Sequence, residues 1–556
     1  MRTRPVDRSE LYPGRKEQFT LKLVAVLLLA GISTGVLSAQ KVAITTHHYD
    51  NFRTGWNNHE TTLTPANVAS NSFGTLYTVP LDAQVDAQPL VVPGVNITVG
   101  SHQGIHDVVY VATEGNTIYA IDANNGQVLL SPNLGPPMIP AANCQVSPTV
   151  GVNSTPAIDL MTKTLYVMSL STVSGQPQYY IHALDLGSLV DKTPPTQVAA
   201  SNILSDGSTV DFDANVERQR PALLLANGSV YAAFGSFCDK NSSESRGWLM
   251  GWQANTLAPL PGNTVFDTQA HSPNNYFLAS VWMSGAGPAA DIDGNIYVVT
   301  GNSDPLGQSY DGSTDIQESV VKVSADLTQV VDLFTPFDWS QADQTDRDFG
   351  SGGVMLLPPR PGFVRRGPQR FAVAAGKPGN MFLMDQENLG GYSPVGNNVL
   401  GTFFIDKCFN IQSYFVDPKD GAPVVVASGG SAVGLWKLAY NPEVTLNNIA
   451  SSPALFQNAL GFFTTVSSNG TRNPIIWAVA KTQLRTPDVL LYALNPESGG
   501  TLQTLFSTTM SGAWSSSGKA NIVPVVANGK VYITTNKLLT VYGLSQKERI
   551  AVATKD

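Results

Sequence analysis

VVYVAT at positions 108–113, followed across EGN by TIYAID at 117–122, is the stretch that decides the fold. Both runs are short, rich in β-branched and aromatic residues, and separated by turn-forming residues, so they read as two strands of an antiparallel pair rather than as a helix. The same couplet returns along the chain. Strand-like runs stand at 164–168 (TLYVM), 230–234 (VYAAF), 296–300 (IYVVT), 371–375 (FAVAA), 424–427 (VVVA), 475–479 (IIWAV) and 531–535 (VYITT). Each is followed by a second apolar run: 180–185, 249–253, 319–324, 381–385, 434–439, 490–495 and 538–543.

Six of the eight couplets are preceded by an apolar run containing Pro or Gly: QPL at 88–90, TPAI at 155–158, RPAL at 220–223, GPA at 287–289, GGV at 352–354 and VPV at 523–525. The repeat is therefore a small antiparallel meander. Tyr110 and Tyr532 bracket seven intervals of about 60 residues, a period suited to propeller blades with generous loops. One meander cannot bury both of its faces, whereas about eight stacked radially bury them against each other. The fold predicted is an all-β propeller of four-stranded antiparallel blades. Eight units are counted, the sixth and seventh matching least, so a seven-bladed ring stays open. Asn-Gly turns at 227–228, 469–470 and 528–529 and Asp-Gly at 293–294 mark hairpins. A strand around 76–81 is expected to complete the sheet that ends at 538–544, leaving no free edge.

Composition agrees. The 556 residues are 42% hydrophobic and only 13% charged, about half the usual ~25%, with 49 Gly and 36 Pro, which disfavours helical bundles and coiled coils. Arg2, Arg4, Arg8, Arg15, Lys16 and Lys22 precede an apolar run at 23–37 that ends in Ser38 and Ala39, the pattern of an export signal cleaved near Ala39. An uncleaved membrane anchor is the alternative. The organisation expected is a signal at 1–39, a lead-in segment at 40–70, one propeller at 71–545 and a tail at 546–556, periplasmic or secreted, with no stable membrane span after cleavage.

The full chain carries 33 Lys+Arg against 42 Asp+Glu; without residues 1–39 the balance is 27 against 39. Such diffuse negative charge argues against a nucleic-acid partner, whose phosphates require clustered Lys and Arg. Cys144, Cys238 and Cys408 allow one disulfide and no four-cysteine zinc site. His47, His48 and Asp50 lack a third metal-ligand pattern, Asp291 to Asn295 reads as a hairpin turn rather than a calcium loop, and the G-x-S-x-G at 31–35 falls inside the export signal.

HYDNFRTG at 48–55, LTPANV at 63–68 and IYAIDANNG at 118–126 resemble the propeller start and blade repeat of pyrroloquinoline-quinone (PQQ)-dependent alcohol dehydrogenases. The resemblance spans most of 45–545 in rhythm and implies an eight-bladed fold; the same architecture also serves cofactor-free scaffolds. Two departures stand out. Many of those enzymes carry adjacent cysteines over the quinone, and this chain has no Cys-Cys pair; Gln127 stands where the repeat usually has Trp. No catalytic or calcium-binding residue of the family is carried over.

In a propeller, residues just before each innermost strand line the axial funnel. By that rule Arg218, Gln219, Arg220, Trp282, Ser284, Asp346 and Asp348 are candidates, joined by Lys377 in the loop after Ala375. Arginines with a Trp could hold a planar anion such as a quinone tricarboxylate. Alternatively Arg218 and Arg220 are braces paired with Asp213, Glu217 or carboxylates of a neighbouring blade. Three functions follow: a cofactor-free binding or scaffold propeller for a cell-envelope protein or polysaccharide, which the departures favour; a quinoprotein oxidoreductase oxidising a small alcohol or sugar with PQQ and Ca2+; and a carbohydrate-active hydrolase or lyase.

Overall fold

The computed structural model describes residues 41–545 except 141–146, 238–244, 271–277, 304–309, 360–366, 457–459, 482–488, 498 and 511–521. The predicted export signal, the C-terminal tail, Cys144 and Cys238 lie outside the described residues. Cys408 is buried and free.

The predicted couplet forms as Gly104–Ala112 paired antiparallel with Ile118–Asp122, flanked by Leu90–Ile97 and Val128–Leu130 to complete a four-stranded meander. That pattern recurs around the chain. The second blade runs from Ala157–Asp159 to Thr196–Gln197, the third from Leu224–Ala226 to Thr264–Val265, the fourth from Ala289–Ala290 to Val330–Phe334 and the fifth from Val354–Leu356 to Gly401–Phe404. The sixth spans Ser413–Val416 to Thr445–Ser451 and the seventh Phe463–Asn469 to Gln503–Met510. The eighth is built from both ends of the chain: Lys530–Leu544 pairs through its first part with Val525–Ala527 and through its second with Phe73–Gln84. Eight blades are thus present, and the N-terminal strand closes the ring as expected. The turns carry the left-handed backbone that their residues favour, at Asn227 (φ 53°), Gly470 (φ 56°) and Asn528 (φ 56°).

Burial explains the arrangement. Apolar clusters fill the spaces between successive blades: Val108, Leu165 and Leu184 between the first two, Tyr166, Phe234 and Trp248 between the next, Phe334, Phe349 and Phe382 further round, and Val109, Tyr532 and Leu539 where the eighth meets the first. Each such side chain contributes about 1.5–3 kcal/mol by leaving water, and both faces of every sheet are used.

The lead-in segment has a place that its sequence did not announce: it lies against the innermost strands of all eight blades. Ile44 exchanges backbone hydrogen bonds with Val91, and the Thr45 carbonyl accepts from Ile158 N. Carbonyls of Asn51, Phe52, Thr54 and Gly55 accept from Ala290, Leu356, Tyr414 and Val466. Asn51 Nδ2 donates to the Leu225 carbonyl and Tyr49 Oη to that of Pro524. Arg53 is fully buried and donates to Thr46 Oγ1 and to the carbonyls of His47, Leu223 and Pro288. A Cβ on Gly287 would stand 2.6 Å from the Arg53 guanidinium, so glycine there is a condition of the fit. Backbone strain accompanies it, with positive φ at His48, Tyr49 and Arg53. The segment acts as an axial plug.

His47 and His48 belong to this plug, stacked with ring centroids 4.8 Å apart. Burial, followed for His47 by the neighbouring His48, holds the His47 imidazole well below its ordinary range, and burial holds His48 down at about 3. The unfolded chain therefore binds protons at these rings below pH 6.5 while the folded chain does not, so stability contributed by their neutral forms is lost as pH falls. Buried acids such as Glu114 and Glu217, raised by burial, act in the opposite sense. A comparison isolates the histidines: between pH 6 and 4, His48→Asn is expected to flatten the fall in stability by up to about 1.4 kcal/mol per pH unit relative to the parent chain. Parallel denaturation curves across that range would contradict it.

Candidate functional site

Four of the five principal candidates come together at one end of the ring. Arg220 precedes the innermost strand of the third blade, Trp282 that of the fourth and Asp348 that of the fifth, while Lys377 occupies the turn between Phe371–Ala375 and Asn380–Asp385. Trp282 is their centre. Arg220 Cζ lies 5.2 Å and Lys377 Nζ 5.4 Å from its ring centroid, and Phe409 tilts against it at 6.1 Å. The indole Nε1 points at Asp348 Oδ1, 3.4 Å away.

Asp348 is buried and is held from several sides. Lys377 Nζ is 2.5 Å from its Oδ2, the Asn302 amide donates to Oδ1 at 3.3 Å, and Asp346 shares Lys377 at 3.0 Å. Burial alone would push the Asp348 carboxyl up. Lys377 and the Asn302 amide together outweigh it and hold the group below the usual carboxylate range, so it is an anion. Burial likewise pulls on the Lys377 ammonium, but Asp348 and Asp346 outweigh it and raise that group above its ordinary value. Gly301 makes the close packing feasible, because a Cβ there would stand 2.8 Å from Asp348 Oδ1 and 3.0 Å from the indole nitrogen.

Glu318, fully buried just before Val320–Val323, joins this group. Its Oε2 accepts from Phe349 N at 2.5 Å, one residue beyond Asp348, and its Oε1 has no partner. Burial, then the charge of Asp348, pushes this carboxyl well above its ordinary range. Sequence reasoning missed Glu318, Asn302 and Phe409, although Phe409 precedes an innermost strand as the funnel rule requires. Ser284 sits at φ 48° in the turn Met283–Gly285, its hydroxyl buried without a partner.

Arg218 stands with a different set. Its Nε donates to Asn153 Oδ1 at 3.0 Å, and NH2 lies 3.9 Å from both Asp86 and Glu114. It is a brace, as in the alternative reading above, though its carboxylates are neither Asp213 nor Glu217 nor on an adjoining blade: both come from the first blade, two blades away. Gln219 turns back on its own chain, donating to the Pro221 carbonyl. Asp291 accepts from Asp293 N and Asn295 N, confirming the hairpin turn.

No family model matches the chain, and no curated protein matches it. Solved structures do. The quinohaemoprotein alcohol dehydrogenase of Comamonas testosteroni superimposes with a TM-score of 0.56 at 13% identity, over 91% of this chain and 81% of that one. The quinohaemoprotein alcohol dehydrogenase of Pseudomonas putida HK5 gives 0.57 at 14%, over 90% and 80%, and a europium-containing methanol dehydrogenase 0.54 at 11%, over 90% and 98%. The chain is an eight-bladed β-propeller structurally similar to quinoprotein dehydrogenases, and it has no pair of adjacent cysteines. Among the described residues, no helix is long and apolar enough to cross a membrane.

Proposed function

We propose that this end of the propeller binds a planar, anionic quinone against Trp282 and that the protein is an exported oxidoreductase acting on an alcohol or a sugar. The observation that carries the reading is one half-buried indole bearing two cations, with an ionised carboxylate at its edge. The indole offers a flat surface, Arg220 and Lys377 match carboxylate oxygens, and the unpartnered Ser284 hydroxyl belongs to the same funnel turn.

When bound, a quinone supplies the two-electron acceptor. The chain's own residues do the rest: Trp282 and Phe409 orient the ring and the cations fix its charge. Calcium fits less well. Among the described residues no three His, Cys, Asp or Glu side chains are placed to share a metal ion, and no step is routed through one.

The missing Cys-Cys pair supports a cofactor-free envelope scaffold instead. Against that reading, the axial channel is closed by hydrogen-bonded polar residues of the lead-in segment, and the funnel retains buried polar groups without partners. A hydrolase would need two carboxyls facing across a groove; Asp86 and Glu114 converge instead on the buried Arg218 and Asn153.

Titration of the purified protein with PQQ, followed by absorbance and melting, tests the proposal. Saturable binding is expected, with stabilisation of about 2.7 kcal/mol at ligand one hundred times Kd. No change at excess ligand would return the scaffold reading to first place.

A further inference from the structure

Lys377 occupies two positions of consequence at once. Its Nζ lies 5.4 Å from the Trp282 centroid and 5.6 Å from that of Phe409, on the aromatic surface itself, while ion-pairing with Asp348 at 2.5 Å. A flat ligand stacked on the indole at van der Waals distance, about 3.5–4 Å, reaches the ammonium, and its anionic oxygens compete with Asp348 for the same N–H groups. Behind Asp348 stands the buried carboxyl of Glu318, one oxygen fixed by Phe349 N and the other without a partner.

We infer that an anionic ligand on the Trp282 face draws Lys377 away from Asp348, and that the buried Asp348–Glu318 carboxyl pair takes up a proton as the ligand binds. The inference rests on the ligand reading above and adds a regulation to it: Asp348 is an anion in the free protein and holds a proton once the site is filled. The groups facing Asp348 all bear on this. Lys377 approaches from the second-to-third-strand turn of its blade, Asp346 from the preceding loop and Glu318 from the fourth blade, with Asp343 of the helix Trp339–Gln344 acting on Glu318 and Arg220 across the indole. Three of the five are carboxyls. With Lys377 redirected and a ligand anion added, the negative charge of Asp348 is left without its counter-ion, so a proton enters from solvent. The proton balance is simple: one proton leaves the buffer and joins a carboxylate oxygen, with no bond of the ligand broken.

Calorimetric titration of the full protein with PQQ at pH 7, in buffers of different ionisation enthalpy, reads the proton count directly. Uptake of up to one proton is expected, with affinity falling by up to about tenfold per pH unit above neutrality. Asp348→Asn should bind without uptake and with a Kd insensitive to pH; if that variant does not fold, the parent chain's own buffer dependence decides. Binding with no proton taken up, or with uptake unchanged in Asp348→Asn, overturns the inference while leaving the ligand reading intact. Absence of binding overturns both.

Discussion

Arg53→Met is expected to remove at least about 4 kcal/mol of stability, read as a large drop in the denaturation midpoint. Arg53 has no exposed surface, and its guanidinium is shared among Thr46 Oγ1 and the carbonyls of His47, Leu223 and Pro288. Methionine fills much of the same volume but leaves those acceptors unsatisfied in a dry environment, at about 1–3 kcal/mol each before relaxation. The consequences extend beyond the residue, since Leu223 and Pro288 approach the innermost strands of two different blades, which Arg53 ties together through the plug. Burial pulls the guanidinium down to about 10, with Asp50 opposing, so the group remains charged at neutral pH. Arg53→Lys keeps the charge but loses the planar fork, and should fall between the two. A midpoint within experimental error of the parent in Arg53→Met would show that the plug is not a structural hub.

The plug also marks where reading the sequence stops. Strands were legible because their information is local: Phe371–Ala375 forms as read, and the Asn227 and Asn528 turns adopt the backbone that their residues favour. Closure by Phe73–Gln84 was legible because a meander lacking one strand must find it at the other end of the chain. His47, His48 and Arg53 carry no such signal. A histidine pair beside an aspartate looks like a metal site in one dimension, and only the eight converging strands give the segment its partners. Repeat position brought Arg220, Trp282 and Asp348 into view, because propeller symmetry sends residues before each innermost strand to one end, and Lys377 joins them there from the turn after the second strand of its blade. It could not separate Arg218 from Arg220, two positions apart, since the choice depends on Asp86 and Glu114 arriving from the first blade and the indole from the fourth. Glu318 escaped because its buried carboxyl is defined by a backbone amide of the next blade, Phe349 N.

Trp282→Ala is expected to weaken PQQ binding by roughly 30- to 150-fold, equivalent to about 2–3 kcal/mol. The loss has two sources. The flat surface for the ligand disappears, and Arg220 and Lys377 lose the ring that holds them 5.2 and 5.4 Å from its centre. Trp282→Phe retains a face but not the indole N–H that points at Asp348 Oδ1, so it should cost less than about tenfold and shift the pH dependence of binding more than its strength. Glu114→Gln provides the contrast. That carboxyl lies in the Arg218 brace, is raised by burial and the charge of Asp86, and should leave ligand affinity within about twofold when replaced by the amide. Equal binding by Trp282→Ala and the parent chain would remove the indole from the site. Equal losses in Trp282→Ala and Glu114→Gln would make the effect one of general destabilisation, because the two residues share no hydrogen bond, ion pair or ring contact through which a specific ligand could couple them.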